Sequence, residues 1–240
     1  GFYAIDITSP SAMNTEANAA AKVLWEVSNS TTGFAELGYS FGAPIMVKTA
    51  KYGWTLILSS GYNNSDDQGY LFFVNPSTGE LLEKVGTGAA APGMVQASAF
   101  INDYTDGTAD AVYVGDLNGK LWRFDLTKTI GAYDTPKVLF QTASPDGGAQ
   151  PISVAPIPEI HPNTRARTIL LGTGKLLYGH VITLAQRQSF YAVTDGDNKK
   201  FATLGTAPLT RADLTTVASL TTAVTLPSTS RGWYYDLGKT

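Results

Sequence analysis

FINDYTDGTADAVYVGDLNGKLWRFDL, residues 100–126, holds in one stretch the signals that decide the fold. A polar loop over 102–110 leads into an apolar run over 111–114, and Asn118-Gly119 separates that run from an alternating strand over 121–126. Aromatic and β-branched residues favour extended backbone, and Asn-Gly between two such runs is typical of a tight β-hairpin. The stretch therefore predicts a polar loop followed by a hairpin.

The hairpin half of this stretch recurs along the chain. An aromatic-rich alternating run ending near Asp or Asn occurs four times, at 2–6, 71–75, 121–125 and 190–195. Middle-strand candidates precede three of these runs, at 54–59, 111–114 and 168–171. Inner-strand candidates come before those, at 43–48, 97–101 and 152–157. A unit of inner strand, middle strand, turn and outer strand, repeated at roughly 50 to 70 residues, predicts the blades of a β-propeller.

The predicted fold class is therefore all-β, a β-propeller. The chain holds material for a partial propeller of about four or five blades, and residues 1–240 are interpreted as one propeller domain or a fragment of one. A single short helix is predicted over 211–220, where Thr210 and Asp213 form a capping-box pattern. The Ala-rich segment 18–22 could add one helical turn.

Composition excludes several classes of function. The net charge is −3 without a basic block, so nucleic-acid binding is not expected. Without cysteine there is no disulfide or thiolate metal site, and no apolar run is long enough for a membrane-spanning helix. The many polar uncharged residues suit an extracellular β protein. No signal peptide is visible, and strand-like runs at both ends suggest a piece of a longer protein.

Seven stretches, in order, resemble the C-terminal propeller of the PilC/PilY proteins of bacterial type IV pili. They are LGYSFGAPIMV, LSSGYNNSDDQGYLFFVNPSTGELL, DGTADAVYVGDLNGKLWRFDL, QPISVAPIPEIHPN, LLGTGKLL, QRQSFYAVTDG and GWYYDL. The resemblance implies a modified β-propeller with quinoprotein-like blades, about seven of them over a longer region. It also implies a non-enzymatic role in pilus biogenesis, adhesion and twitching motility at the extracellular pilus tip. Minor pilins, other tip components, and a host or abiotic surface ligand are the implied partners.

In that family the loop before the hairpin commonly binds calcium through oxygens at loop positions 1, 3, 5, 7 and 9. Carried over, these positions are Asn102, Tyr104, Asp106, Thr108 through its backbone carbonyl, and Asp110. The chain departs from the pattern, since position 1 is an amide, position 3 is a Tyr, and the neighbouring Asp stands one residue out of register. The alternative is an Asx-rich turn in which Asp106 and Asp110 accept backbone N–H bonds. The resemblance of this loop makes calcium the one candidate cofactor.

Other motifs favour structural interpretations. The polar loop 63–67 is interpreted as a solvated hairpin loop rather than a second cation site. Residues 38–42 match G-x-S-x-G, but a strand-like run follows instead of the helix that a serine hydrolase requires. His161 and His180 are interpreted as turn or surface residues. The four tryptophans are assigned to blade packing rather than to a stacking platform.

Two alternative functions stay open. A quinone-dependent dehydrogenase fragment shares the propeller and its Trp-bearing repeats, although no cluster of convergent polar groups for a quinone is visible. A lectin-like carbohydrate-binding propeller is the other alternative, and a glycan array would distinguish it from a purely protein-binding domain.

Overall fold

The computed structural model describes residues 1–175, 186–221 and 224–238, which leaves His180 outside the described residues. Over these ranges the chain forms fifteen strands and one short α-helix, α1 (Glu16–Ala20). None of the helices within them is long and apolar enough to cross a membrane.

The strands form four sheets among the described residues. The first sheet pairs β1 (Phe2–Ile5) with β2 (Val23–Val27). The second runs in order through β3 (Ile45–Thr49), β4 (Gly53–Ser59), β5 (Gln68–Val74) and β6 (Leu81–Ala90). The third runs in order through β7 (Ala97–Ile101), β8 (Ala109–Gly115), β9 (Lys120–Asp125) and β10 (Lys137–Gln141).

The fourth sheet differs from the others because one strand pair in it is parallel. It contains β11 (Ile157–Ile160), β12 (Ala166–Gly172), β13 (Ser189–Asp197), β14 (Thr215–Thr216) and β15 (Gly232–Asp236). Their order is β11-β12-β13-β15-β14, and the two-residue β14 pairs in parallel with β15 at the sheet edge.

The hairpin predicted from the opening stretch is present as β8 and β9, which pair antiparallel. Its turn is fixed by Asp116, whose carboxylate accepts bonds from the backbone N–H of Lys120 at 2.9 Å and from Trp122 Nε1 at 2.8 Å. Gly119 takes a φ of 75°, the left-handed conformation that Asn-Gly turns need. One buried carboxylate therefore ties the turn to the strand that follows it.

Three apolar clusters each fill the space between two successive sheets. Between the first and second sheets lie Trp25, Val27, Phe34, Leu37, Leu58, Phe72 and Val74. Between the second and third lie, among others, Ile57, Leu71, Phe73, Val112, Val114 and Trp122. Between the third and fourth lie, among others, Phe100, Tyr113, Leu121, Ile169, Leu171 and Tyr191.

Inner strands β3, β7 and β11 contact one another in series. Face-to-face sheets with adjacent inner strands confirm the all-β, propeller-type prediction.

The predicted three-strand unit lacked one strand. Three of the four runs predicted as outer strands, 71–75, 121–125 and 190–195, are the third strands of their sheets, and β6, β10 and β15 lie beyond them. The fourth run, 2–6, forms β1 of the two-stranded first sheet. The inner strand predicted over 152–157 is also wrong, because β11 begins only at Ile157. The backbone N–H of Ile152 instead donates to the carbonyl of Asp116 in the preceding sheet, at 2.9 Å. This segment therefore links two sheets before the new strand starts.

The helix predicted over 211–220 is wrong beyond its first turn. The capping box of Thr210 and Asp213 is present, but it starts only a 3-10 turn over Arg211–Asp213. Strand β14 follows, since β-branched Thr215 and Thr216 pair with β15. The Ala-rich segment does form a helical turn, α1, capped by the hydroxyl of Thr15.

Candidate functional site

The predicted calcium loop, residues 102–110, covers the connection between β7 and β8 in the third sheet and the first two residues of β8, and it touches both neighbouring sheets. Toward the second sheet, Lys48 Nζ donates to the backbone carbonyl of Asp106 at 3.0 Å, and Lys48 forms a backbone bridge with Thr108. Toward the fourth sheet, Asn198 Nδ2 donates to Asn102 Oδ1 at 3.1 Å. The loop is thus held from both sides.

Both in-register carboxylates accept hydrogen bonds from the loop backbone. Asp110 Oδ2 accepts the N–H of Asn102 at 2.9 Å, and Asp106 Oδ1 accepts the N–H of Thr108 at 2.7 Å. These are the bonds of the Asx-rich turn that was the alternative interpretation of this loop. Gly107 supplies the turn with a φ of 67°.

The remaining loop positions add little negative charge. Tyr104 is 82% exposed and has no carboxylate to offer a cation. Asp103, one residue out of register, accepts bonds from the hydroxyl and the N–H of Thr105, and these two bonds lower the pKa of its carboxyl. Asp103 therefore stabilises its own turn rather than pointing to a shared centre.

The loop fits a calcium ion only in part. Calcium takes six to eight oxygens, and its affinity in such loops follows the number of charged ligands. The described residues contain no group of three or more Asp, Glu or His side chains that could hold a metal. An ion at this loop would have to replace the backbone bonds of Asp106 and Asp110. Calcium binding at Asn102, Tyr104, Asp106, Thr108 and Asp110 stays a prediction.

The second polar loop, residues 63–67, has the hydrogen bonds of a hairpin loop. Asp66 accepts bonds from the N–H of Gln68 at 3.0 Å and from the hydroxyl of Tyr70 at 2.6 Å. Burial, together with this bond to Asp66, raises the pKa of Tyr70 to about 12. The carboxylate thereby fixes the loop to the strand that follows it.

A buried polar cluster between the third and fourth sheets was not predicted from the sequence. Arg123 on β9 forms an ion pair with Asp195 on β13, and the exposed fractions of these residues are 6% and 0%. The same carboxylate accepts a bond from the hydroxyl of Tyr113 at 2.7 Å. Burial and the adjacent Asp195 raise the pKa of Tyr113 well above its ordinary value. The available signal was strand alternation, which places Arg123 on the same face as buried Leu121.

A second guanidinium, that of Arg167, adds positive charge to this cluster. Arg167 is 1% exposed, and its guanidinium carbon lies 4.2 Å from the ring centre of Phe100 and 4.4 Å from that of Phe201. Its Nη1 is 3.4 Å from the hydroxyl of Tyr113. Arg is suited to such a site because its planar group stacks on aromatic faces.

A partly buried ion pair fastens the last strand of the fourth sheet. Arg211 donates two bonds to the carboxylate of Asp236, at 2.8 and 2.6 Å, and Ser189 Oγ donates a third at 2.6 Å. Burial alone would raise the pKa of Asp236, but these hydrogen bonds outweigh it and lower the pKa. The pair therefore joins the 3-10 turn, β13 and β15.

The remaining sequence motifs fall into structural roles, with one correction. Ser40 of the G-x-S-x-G match exchanges bonds with the backbone of Gly1, and a strand follows it. Trp25 and Trp122 are buried as predicted, but Trp54 is 64% exposed, so its assignment to blade packing is wrong. The two-stranded first sheet packs over Leu58 on that face and does not reach Trp54.

The stacked sheets and the buried polar cluster between them define a domain of the β-propeller type. The chain belongs to the family described as the PilY1 beta-propeller domain, which matches residues 1–231. This confirms the resemblance seen in the seven sequence stretches.

Individual relatives agree with this assignment. The type IV pilus biogenesis factor PilY1 of Pseudomonas aeruginosa (strain PAO1) is 28% identical over 238 residues, covering 89% of this chain and 20% of the relative. A PilY1 homolog of Xylella fastidiosa (strain Temecula1) is 30% identical over 195 residues, covering 81% of this chain and 15% of the relative. The chain therefore spans about a fifth or less of these relatives.

The fold is similar to a solved structure, the crystal structure of the Pseudomonas aeruginosa PilY1 C-terminal domain. The TM-score is 0.80 at 25% sequence identity, and the match covers 99% of this chain and 56% of that one.

Proposed function

We propose that this chain is a propeller-type domain of a non-enzymatic type IV pilus biogenesis factor. The observation that carries the proposal is the family match over residues 1–231, together with relatives named as type IV pilus biogenesis factors. The proposed place of action is the extracellular pilus tip or bacterial cell surface. The proposed roles are pilus assembly, surface attachment and twitching motility, and residues 1–240 act as one unit.

The packing supports a role as a rigid interaction surface. Sheets that share their cores in series hold the connecting loops in fixed positions, and such loops commonly carry recognition in β scaffolds. The proposed partners are minor pilins and other pilus-tip components, with a host or abiotic surface ligand as a further partner.

A non-enzymatic role agrees with the chemistry of the described residues. The G-x-S-x-G match at Ser40 is followed by strand β3, whereas a serine hydrolase needs a helix directly after its nucleophile. For the quinone-dependent alternative, Trp122 has a simple structural role, because its indole N–H binds Asp116 inside its own sheet. Nothing in these contacts favours the dehydrogenase.

Calcium regulation is the finer part of the proposal. An ion at residues 102–110 would exchange the bonds of Asp106 and Asp110 for metal ligation, and the loop contacts both neighbouring sheets through Lys48 and Asn198. A ligand shifts a conformational equilibrium only if it prefers one state. The structural support is therefore the position of the loop between sheets.

The proposal is tested by deleting the gene in the bacterium that encodes this chain. Surface pilin in the sheared fraction and twitching zones are expected to fall, and the wild-type gene is expected to restore both. Asp195→Ala, which removes the partner of a buried Arg, should fail to restore them. Asp134→Ala, the same change in an exposed ion pair, should succeed.

Normal piliation and twitching in the deletion strain would contradict the proposal. Co-purification of the intact protein with minor pilins, using the Asp134→Ala protein as a folded control, tests the proposed partners separately.

A further inference from the structure

A cavity of about 690 Å³ lies on the face of the fourth sheet that is turned away from the third sheet. Strands β12, β13 and β15 form its floor, and residues within 217–220 and 224–230 form the opposite wall. Small-molecule sites typically have 300–1,000 Å³, so the volume suits a ligand of the size of a small oligosaccharide.

Strand alternation explains what the floor presents. Ile169 and Val193 point into the shared core, so their neighbours Thr168 and Thr194 point into the cavity. Thr168 and Thr194 are cross-strand partners, β12 beside β13, which places their side chains next to each other. Small residues surround them and give the floor its depth: Ala166, Ala192 and Gly232.

The floor offers hydrogen-bonding groups that the protein does not use. Within the described ranges, the hydroxyls of Thr168 and Thr194 make no hydrogen bond. His161, at one end of the cavity, accepts the N–H groups of Asn163 and Thr164 at Nδ1, at 3.3 and 3.2 Å. In its neutral form this imidazole then carries its proton on Nε2, where it can donate to a ligand.

An aromatic ring completes the lining. Trp233 borders the cavity, and its ring centre lies 5.8 Å from that of Phe190. The opposite wall is aliphatic, with Leu220, Val224 and Leu226. Among the described residues, the lining contains no Asp, Glu, Lys or Arg.

We propose that this cavity binds a neutral saccharide. The apolar C–H face of a sugar ring packs against Trp233, and its hydroxyl groups exchange hydrogen bonds with Thr168, Thr194 and His161. An ionic ligand would lose its hydration without gaining a counter-charge in this lining. A purely apolar ligand would leave both threonine hydroxyls buried without partners. This inference goes beyond the proposed function, and saccharide binding in vitro does not depend on pilus assembly.

The test measures binding of immobilised neutral, sialylated and sulfated glycans to the 240-residue chain, followed by calorimetry with the best neutral glycan. Thr168→Val with Thr194→Val removes both hydroxyls and keeps the β-branched shape that suits a strand. We expect this double variant to weaken binding about tenfold or more. Trp233→Phe should also weaken binding, because it shrinks the aromatic face.

Thr135→Val is the matched control, since Thr135 is exposed and lies outside the cavity. It should bind as the wild type does, and equal melting temperatures of all variants show that the fold is kept. The proposal is overturned if no neutral glycan binds with a Kd below about 10 mM, which is near the weak limit of specific recognition. It is equally overturned if the threonine variants bind unchanged, or if the cavity takes an apolar peptide that sugars do not displace.

Discussion

Arg123 and Asp195 form a buried ion pair that joins the third sheet to the fourth across 72 residues of sequence. The carboxylate of Asp195 serves three donors at once, since it also accepts the hydroxyl of Tyr113 and the backbone N–H of Ala202. One carboxylate thus satisfies groups from both sheets and from the loop that follows β13.

Asp195→Ala should lower the free energy of unfolding by about 3–5 kcal/mol, because it leaves the guanidinium of Arg123 buried without a counter-charge. Urea denaturation measures the change. Asp134→Ala is the control, since its ion pair with Lys128 is exposed and should contribute about 0–1 kcal/mol. Equal losses in the two variants would show that burial of the pair does not matter.

Acid should weaken the contact between Arg211 and Asp236. The folded-state pKa of Asp236 lies below its ordinary value of 3.8, so the stabilisation is present above pH 3.8 and is lost as the pH falls through the folded-state pKa. Asp236→Asn should cost about 2 kcal/mol near pH 7, with the gap to the wild type closing in acid. Urea midpoints measured from pH 7 down to below the folded-state pKa of Asp236 follow the change. Arg211→Gln should likewise differ less in stability from the wild type in acid than at pH 7. A stability difference that grows in acid would contradict the lowered pKa of Asp236.

Gly79 should tolerate a methyl group less well than Gly88. Both have a positive φ, 74° and 64°, so alanine is strained at either position. A Cβ on Gly79 would lie 2.7 Å from the Trp25 ring, whereas one on Gly88 meets nothing within 4 Å. Gly79→Ala should therefore be less stable than Gly88→Ala by about 1–3 kcal/mol, the cost of overpacking. Thermal unfolding compares the two, and equal melting temperatures would mean that the Trp25 ring moves aside freely.

Restoring carboxylates at loop positions 1 and 3 should strengthen calcium binding. Asn102→Asp with Tyr104→Asp gives the loop four in-register carboxylates, and affinity rises with ligand charge. The melting temperature should then rise with added calcium more than it does for the wild type, because a ligand at ten times its Kd adds about 1.4 kcal/mol to stability.

Asp103→Asn is the control for that loop, since Asp103 stands out of register and an amide can keep the turn to Thr105. It should leave the response to calcium unchanged. A double variant that ignores calcium would show that this backbone does not converge its oxygens.

The sequence predicted those parts of the fold that depend on local pattern. The hairpin of β8 and β9 follows from alternation and from Asn118-Gly119, and the capping box at Thr210 follows from residue spacing. The fourth strands β6 and β10 escaped prediction. Lys137–Gln141, for example, is only five residues long and pairs with β9 only in three dimensions. Likewise, Thr215 and Thr216 become a strand because β15 lies beside them.

Residues 102–108 do form a loop between β7 and β8, but the contacts of this loop with other sheets could not be predicted from the sequence. Spacing alone cannot tell whether Asp106 faces an ion or the N–H of Thr108, and the structure has the latter bond. Lys48 and Asn198, which reach the loop from two other sheets, are 58 and 96 residues from their partners. The cavity beside Trp233 likewise needs strands and a loop that are far apart in sequence.

The three apolar clusters have a consequence for how the domain comes apart. Each cluster is shared by two sheets, so an interior sheet cannot open without exposing apolar surface on both of its neighbours. Limited proteolysis should therefore leave intact chain and small peptides, without a long-lived fragment that ends between the second and third sheets. We therefore expect the sheets to unfold together, because a boundary between a folded and an unfolded sheet would expose the apolar cluster that the two share.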